Sequence, residues 1–447
     1  MRLSKFAHVL KKGKRFCLYN ALNMKMFFMN EDEFTYVQSY LKERIVATEI
    51  INNLISAKII VDDFFSEEEY LQRLNEKIFD GVQIRVMVLH LTDFCNLRCK
   101  YCFIEGNIGA AYHRINMSKD VVIKAIDKFI DILKDYKKQA HPSIVFYGGE
   151  PLANWETMKH ALEYLEKYKA YQIDKILITN GTLITDDIAT ILKKYDVNVS
   201  VSLDGDEHCT NLNRVYLDGT GSYKDAIIGI ERLRRAGIEP SISCVLAKEN
   251  VSHACDIIDF FANELKIKAL GFNHVSIVPN QNYYDETYEK SFARALIKVQ
   301  ERIQLKYPYI YERRMNHKIN CFLDRKLLRA DCTGCGEQMS VSPIGEIGIC
   351  QGYMGSRKTF NNSVYDEDYF PKNDPIFIEW SKRSPLTMES CLDCIALATC
   401  GGGCPRNADV LTGSIWNPDK AFCHFAKEAN EWMIWHMDTQ EKGNVDN

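Results

Sequence analysis

Eleven of the sixteen cysteines in this 447-residue chain fall in three spaced groups. Cys95, Cys99 and Cys102 form the run CNLRCKYC; Cys332, Cys335 and Cys350 follow; then come Cys391, Cys394, Cys400, Cys404 and Cys423. Spacing this close suits thiolates converging on a metal. The first group, Cys-x3-Cys-x2-Cys on one loop, can hold three irons of a [4Fe–4S] cluster. The fourth iron then lacks a protein ligand and can bind substrate. A structural zinc wants four closed ligands, and a ferredoxin cluster takes four cysteines. A zinc ribbon would account for Cys391 and Cys394 but not for the rest of the later groups. Cys17, Cys209, Cys244, Cys255 and Cys321 are scattered and read as small buried hydrophobes.

The first group follows directly on the apolar run IRVMVLHL. Five further strand-like runs succeed it: SIVFYG, KILITN, VNVSVSL, EPSISCVL and KALGFNHVSIV. Helical patterns lie between them at Lys119–Leu133, Trp155–Tyr168, Thr185–Lys194, Ser222–Ala236 and Ser252–Leu265. Regular βα alternation implies a parallel sheet. The fold class is therefore α/β, and six units make a partial (β/α)6 TIM-type barrel over residues 81–315. Residues 1–80 begin with the runs FAHVL and RFCLYNA around the turn KKGK, then MKMFFM, EDEFTYVQSYLKE and VATEIINNLISAKI. They read as a small β-plus-helix module. Residues 316–447 lose the βα rhythm. Their apolar periodicity is too sparse for a conventional core, so bound metal is expected to organise them, with a closing helix at Phe422–Met437.

Hydrophobic residues make up 46% and charged residues 26%, as in an ordinary globular protein. The formal net charge of −4 suggests neither a nucleic-acid nor a membrane partner. The basic start lacks an apolar stretch for a signal peptide, and no run would span a bilayer. A cytoplasmic protein is expected, and reducing conditions there disfavour disulfides.

CxxxCxxC on the first βα loop, with Tyr101 before the last cysteine, resembles the signature of the radical S-adenosylmethionine (SAM) superfamily. Gly148, Gly149, Glu150 and Pro151 resemble its GGEP motif, which in the family hydrogen-bonds the methionine amino group of SAM. Asn180 in TNG, and Ser202 and Asp204 in SLDG, resemble its polar residues around the ribose and methionine. Each lies at the carboxyl end of an expected strand, where barrel enzymes assemble their sites. The resemblance implies SAM bound to the open iron and cleaved reductively to a 5′-deoxyadenosyl radical, which strips hydrogen from an unactivated carbon. It also implies an electron donor such as flavodoxin or ferredoxin.

The later cysteines, with Gly345 ten residues after Cys335 and five before Cys350, resemble the seven-cysteine SPASM pattern. Such domains hold two auxiliary [4Fe–4S] clusters, for three in all. Carried over, Cys332, Cys335, Cys350 and Cys404 bind the first, and Cys391, Cys394, Cys400 and Cys423 the second. Cys332 lies closer to Cys335 than expected, so Cys321 or an open iron is the alternative there. An open iron could bind a substrate thiolate. Residues 1–80 resemble a PqqD-like element that takes up the leader of a precursor peptide as an added strand. The expected function is peptide maturation with a thioether cross-link favoured. The alternatives are carbon–carbon cross-linking and formylglycine generation in a sulfatase. For the last, Gln351 stands where those enzymes place a catalytic Asp.

Overall fold

The computed structural model describes residues 1–43, 46–104, 114–136, 141–278 and 285–445. The chain begins with β1 (Arg2–Leu3), β2 (Ala7–Lys12), β3 (Arg15–Asn20) and β4 (Met26–Met29). Helices α1 (Glu31–Glu43) and α2 (Glu49–Ser56), strand β5 (Ile60–Val61) and helix α3 (Glu67–Ile78) follow. β2, β3 and β4 form an antiparallel sheet, and β1 pairs with β5. Period-two alternation gives that sheet two apolar faces. Phe16 and Leu18 pack with Ile51 and Leu54 of α2. Cys17 and Tyr19 pack with Phe322, Ile434 and Trp435 from the far end of the chain. The module is thus clamped to the carboxyl-terminal helix rather than appended by a linker. Helix α3 escapes the hydrophobic pattern because only Glu67 and Leu71 are buried on it. Its signal is the cap: the Ser66 hydroxyl accepts the Glu69 N–H at 3.2 Å.

The barrel strands are β6 (Val86–His90), β7 (Ser143–Tyr147), β8 (Asp174–Thr179), β9 (Val197–Ser202), β10 (Ser241–Leu246) and β11 (Ala269–His274). All six are parallel and lie in sequence order. Helices α4 (Lys119–Leu133), α5 (Trp155–Leu165), α6 (Asp186–Lys194), α7 (Glu207–Asn213), α8 (Tyr223–Arg235) and α9 (Ala254–Asn263) connect them. Two long elements not expected from the pattern follow, α10 (Glu286–Lys306) and α11 (Arg313–Leu323), with the two-residue β12 (Tyr311–Glu312) between them. Ile144, Phe146, Leu177, Val199, Val201, Ile242 and Phe272 point outward into the core shared with the helices. By alternation Tyr147, Ser202, Ser243 and Asn273 face the hollow side.

The carboxyl-terminal region corrects one expectation. β13 (Gln338–Val341) adds in parallel beside β6, and β14 (Glu346–Gly348) and β15 (Asn362–Ser363) extend the sheet antiparallel. Met339, Val341, Ile347, Ile349, Tyr353 and Trp380 are buried in the same core as the barrel. The region therefore has an apolar anchorage of its own, carried by strands too short for periodicity to reveal. Helices α12 (Pro375–Ser381), α13 (Leu397–Cys400), α14 (Pro405–Thr412) and α15 (Lys420–Val445) complete it. Among the described residues no helix is long and apolar enough to cross a membrane.

The loop after β6 is fixed to the barrel by a buried polar triad. Asp204, wholly buried, accepts the Val245 N–H on Oδ1 at 2.9 Å and the Tyr101 hydroxyl on Oδ2. Arg214 Nε lies 3.0 Å from the same Oδ2, and its guanidinium stands 5.5 Å from the Tyr101 ring centre. The segment carrying Arg214 also receives the loop backbone. The Arg98 N–H donates to the Val215 carbonyl at 2.7 Å and the Lys100 N–H to the Asn213 carbonyl at 3.1 Å. Removing one charge of a buried pair leaves the other uncompensated. Asp204→Asn is expected to cost about 3–5 kcal/mol in denaturant unfolding, and adding Arg214→Met should restore more than half of it. A single variant as stable as the parent would show the pair to be solvated.

Candidate active site and cysteine groups

The two glycines of the GGEP segment are there because the first cysteine loop lies directly on them. A Cβ at Gly149 would sit 2.3 Å from the Phe94 carbonyl oxygen. One at Gly148, whose φ is +143°, would sit 2.5 Å from the Thr92 carbonyl oxygen. In this close contact the Gly149 N–H donates to Thr92 O and the Glu150 N–H to Phe94 O, both at 2.8 Å. Glu150 is turned inward. Its carboxylate accepts from the Thr179 hydroxyl at 2.7 Å, the Asn180 N–H at 2.8 Å and the Leu152 N–H at 3.1 Å. Burial raises its pKa to about 7 against the pull of those donors. Glu150 thus ties the end of β7 to the end of β8.

Asn180 reaches the cysteine loop itself. Its Nδ2 donates to Asn96 Oδ1 at 2.9 Å and lies 4.0 Å from Cys95 Sγ. Asn96 Nδ2 in turn donates to the Thr182 hydroxyl at 2.8 Å. Ser202 is half-buried on the hollow face of β9, level with Ser243 of β10, whose hydroxyl accepts from Asn273 Nδ2 at 2.9 Å. Pro151 is buried and opens the short helical turn after the glycines. Asp204, grouped with Ser202 on sequence, has both oxygens engaged within the chain, so its part in the site runs through Tyr101.

Cys95, Cys99 and Cys102 stand together at this rim, half-buried. Burial raises the Cys95 thiol well above its ordinary value, with Glu150, Cys99 and Cys102 adding to the effect. Cys99 is pushed up to about 11, by burial first, with Arg214 opposing.

The later cysteines influence one another electrostatically. Burial raises Cys332, and the sulfurs that reinforce it are Cys335, Cys404 and Cys350. Burial pushes Cys400 and Cys423 up to about 12 each; Cys423 adds to the first, and Cys391 and Cys394 add to the second. Burial also raises Cys321, and the charges acting on it are those of Lys318, Lys326, Asp324 and Asp331. Between Cys400 and Cys404 runs Gly401-Gly402-Gly403, at φ +71°, +81° and +65°. Three successive left-handed residues reverse the chain direction between Cys400 and Cys404. A Cβ at Gly401 would meet the Asp331 nitrogen at 2.5 Å.

These donor sets fit iron–sulfur cubanes. They consist of thiols close in sequence, and burial makes Cys95, Cys99, Cys332, Cys400, Cys404 and Cys423 hold protons until a metal displaces them. Among the described residues no three His, Cys, Asp or Glu side chains converge on one point as a single bound ion requires. Of the five scattered cysteines, Cys17, Cys209, Cys244 and Cys321 are buried and Cys255 is half-buried.

The pattern did not point to Arg214, Tyr147, Arg383 or Arg406. Tyr147 immediately precedes Gly148 on the hollow side of β7. Its phenol is raised by burial and then by Cys102, with Cys350 and Cys95 adding and Arg214 opposing. It therefore stands between the first group and Cys350, and its place at a strand's carboxyl end was the available signal.

Residues 89–261 match the family model of the radical SAM superfamily. The chain is 27% identical to the radical SAM cyclopropyl synthase TigE of Paramaledivibacter caminithermalis, over 95% of this chain and 94% of that protein. It is 26% identical to a cysteine-type anaerobic sulfatase-maturating enzyme of Clostridium perfringens, over 76% of this chain and 93% of that protein. Among solved structures, native anSMEcpe with bound AdoMet matches with a TM-score of 0.67 at 23% identity, over 79% of this chain and 98% of that one. SuiB of Streptococcus suis bound to S-adenosylmethionine matches with a TM-score of 0.56 at 18% identity, over 95% of this chain and all of that one. These two likenesses are of fold, and the cysteine-rich carboxyl-terminal region fits a SPASM-like domain. The barrel built on the CxxxCxxC loop is a radical SAM domain, and the chain is a radical SAM enzyme.

Proposed function

We propose that this enzyme matures a ribosomally made peptide by closing a new bond at an unactivated carbon, and that the bond is carbon–carbon. The observation that supports this reading is that Cys335, Cys404 and Cys350 lie near enough to Cys332 to raise it. If those four thiols bind one cluster, no position stays open there for a substrate thiolate, and the route to a thioether through an open iron loses its support. The relative that matches nearly the whole chain is named a cyclopropyl synthase. Gln351 argues against formylglycine generation: it is neutral, and its Oε1 is taken by Gln338 Nε2 at 2.8 Å. Two fold neighbours bind peptides, SuiB with precursor peptide SuiA and anSMEcpe with Cp18Cys peptide.

In this reading Cys95, Cys99 and Cys102 hold the catalytic [4Fe–4S] cluster, and the two groups of four hold auxiliary clusters. Cluster and SAM together supply a 5′-deoxyadenosyl radical when reduced by a donor such as flavodoxin or ferredoxin. The chain's own residues place the reacting groups. Gly148 and Gly149 bring the β7 backbone against the loop, Glu150 locks that backbone to β8, and Asn180 orients Asn96 and the loop beside Cys95. Asp204 and Arg214 fix Tyr101. Ser202 and Tyr147 face the hollow where SAM and the peptide would meet. The protein works in the cytoplasm, where its thiols stay reduced.

Residues 1–80 form the leader-binding module, and β4 offers the edge. The Asn20 N–H donates to the Lys25 carbonyl, and the strands pair Leu18 with Phe27 and Tyr19 with Met26. Alternation in an antiparallel ladder then leaves the N–H groups of Met26 and Phe28 pointing away from β3. No other strand covers that edge among the described residues. Deleting the module would uncover Ile434 and Trp435, so a point change tests it better. Met26→Pro, at a strand start where proline is tolerated, should weaken leader binding about tenfold, the worth of one hydrogen bond, and leave reductant-driven SAM cleavage intact. Unchanged affinity by fluorescence anisotropy would move the leader elsewhere.

Tandem mass spectrometry of precursor peptide treated with enzyme, SAM and reductant tests the bond. The expected product is a pair of hydrogens lighter, with its cysteines still open to alkylation. Protection of a cysteine would restore the thioether, and a hydrazine-reactive aldehyde without a ring would assign formylglycine chemistry.

A further inference from the structure

Two arginines are buried beside Cys332, Cys335, Cys350 and Cys404, and one of them, Arg406, has only neutral hydrogen-bond partners. Arg406 is 3% exposed. Its Nε–H donates to the Gly352 carbonyl at 2.8 Å and Nη1 to the Ile277 carbonyl at 2.6 Å. Its guanidinium lies 5.9 Å from the ring centres of both Tyr353 and Phe103. Arg383 is wholly buried and donates to the carbonyls of Ile415, Gly403 and Asn417. Arg406 makes no ion pair with a carboxylate among the described residues, whereas Arg383 also bonds the Cys335 side chain and lies near enough to buried Asp419 to stabilise its carboxylate. The contrast is Lys318, beside Cys400 of the other group. Its Nζ is paired with Asp331 Oδ1 at 2.5 Å as well as bonded to the Cys400 carbonyl at 2.8 Å.

Arg406 is also placed against a cysteine. A Cβ at Gly352 would lie 2.2 Å from Arg406 Cδ and 3.4 Å from Cys350 Sγ, so the arginine stem and that sulfur share one small space. Arg406 follows Cys404 by two residues at the start of α14. Asp419 does not discriminate between the groups. Its Oδ2 accepts the Cys404 N–H at 2.9 Å, and it also raises Cys423 of the other group.

A buried cation without a counter-charge is costly, and chains that keep one supply an anion nearby. A cubane held by four thiolates is a net anion and becomes more negative on reduction. A fixed positive charge beside it favours the reduced state, since net charge and hydrogen bonding set cluster potentials. We propose that Arg406 is the charge partner of the auxiliary cluster at Cys332, Cys335, Cys350 and Cys404, and makes it the more readily reduced of the two auxiliary sites. The inference rests on the cluster assignment made above. It gives that cluster, which Tyr147 and Phe103 connect to the radical-generating loop, the role of first electron acceptor.

The test is an anaerobic redox titration followed by electron paramagnetic resonance. Cys95, Cys99 and Cys102 are replaced by Ala so that only the auxiliary sites contribute. The parent should show two midpoint potentials. Arg406→Gln should lower the higher one and leave the lower one in place, and Arg406→Lys should keep both near the parent values. Unchanged potentials in a fully loaded Gln variant would overturn the proposal, as would movement of the lower potential. Loss of iron from the Gln and Lys variants alike would make Arg406 a structural residue and overturn it too. A parent without auxiliary iron would instead sink the cluster assignment and this proposal with it.

Discussion

Thiolates repel one another, and the fold crowds most of its cysteines into three groups in which burial and neighbouring sulfur both oppose ionisation. Such an arrangement is stable only as neutral thiols or as thiolates neutralised by metal. Much of the rest of the architecture serves this constraint. β6 delivers the first group to the barrel rim, and the Asp204–Arg214–Tyr101 triad fixes its loop. β13 brings Cys350 within reach by pairing with β6. The three left-handed glycines between Cys400 and Cys404 reverse the chain direction within the last run.

The same constraint decides where charge is kept. Arg214 beside Cys99 is answered by Asp204, and Lys318 beside Cys400 by Asp331. Arg383 bonds carbonyls and the Cys335 side chain and faces buried Asp419, whereas Arg406 has only carbonyl hydrogen-bond partners. Compensation for Arg406 has to come from whatever the neighbouring cysteines hold, which is why charge at this site bears on chemistry and not only on stability.

Local signals made much of this legible in the sequence. Five of the six barrel helices carry apolar residues at helical spacing, with boundaries within a few residues of the pattern, while the seven-residue α7 is too short and polar to read. Close cysteine spacing exposed the groups because ligands on one loop are neighbours in sequence as well as in space. What stayed hidden depends on long-range contact. β13 is four residues long and becomes a barrel neighbour only by pairing with a strand some 250 positions earlier. Arg214 and Arg406 lie on no strand end and matter only through what folding sets beside them. Cys332 looked misplaced on spacing, yet its partners include Cys350 and Cys404, which sequence separation conceals.

The central claim is that three separate cysteine groups hold three clusters. The direct measurement is iron, sulfide and zinc content after anaerobic reconstitution, for the parent and for variants in which each group in turn is replaced by Ala. The account predicts about twelve irons and as much sulfide per chain, with about one third lost from each variant and SAM cleavage abolished in the Cys95, Cys99 and Cys102 variant. Stoichiometric zinc without iron, or loss of all iron on removing any single group, would contradict it.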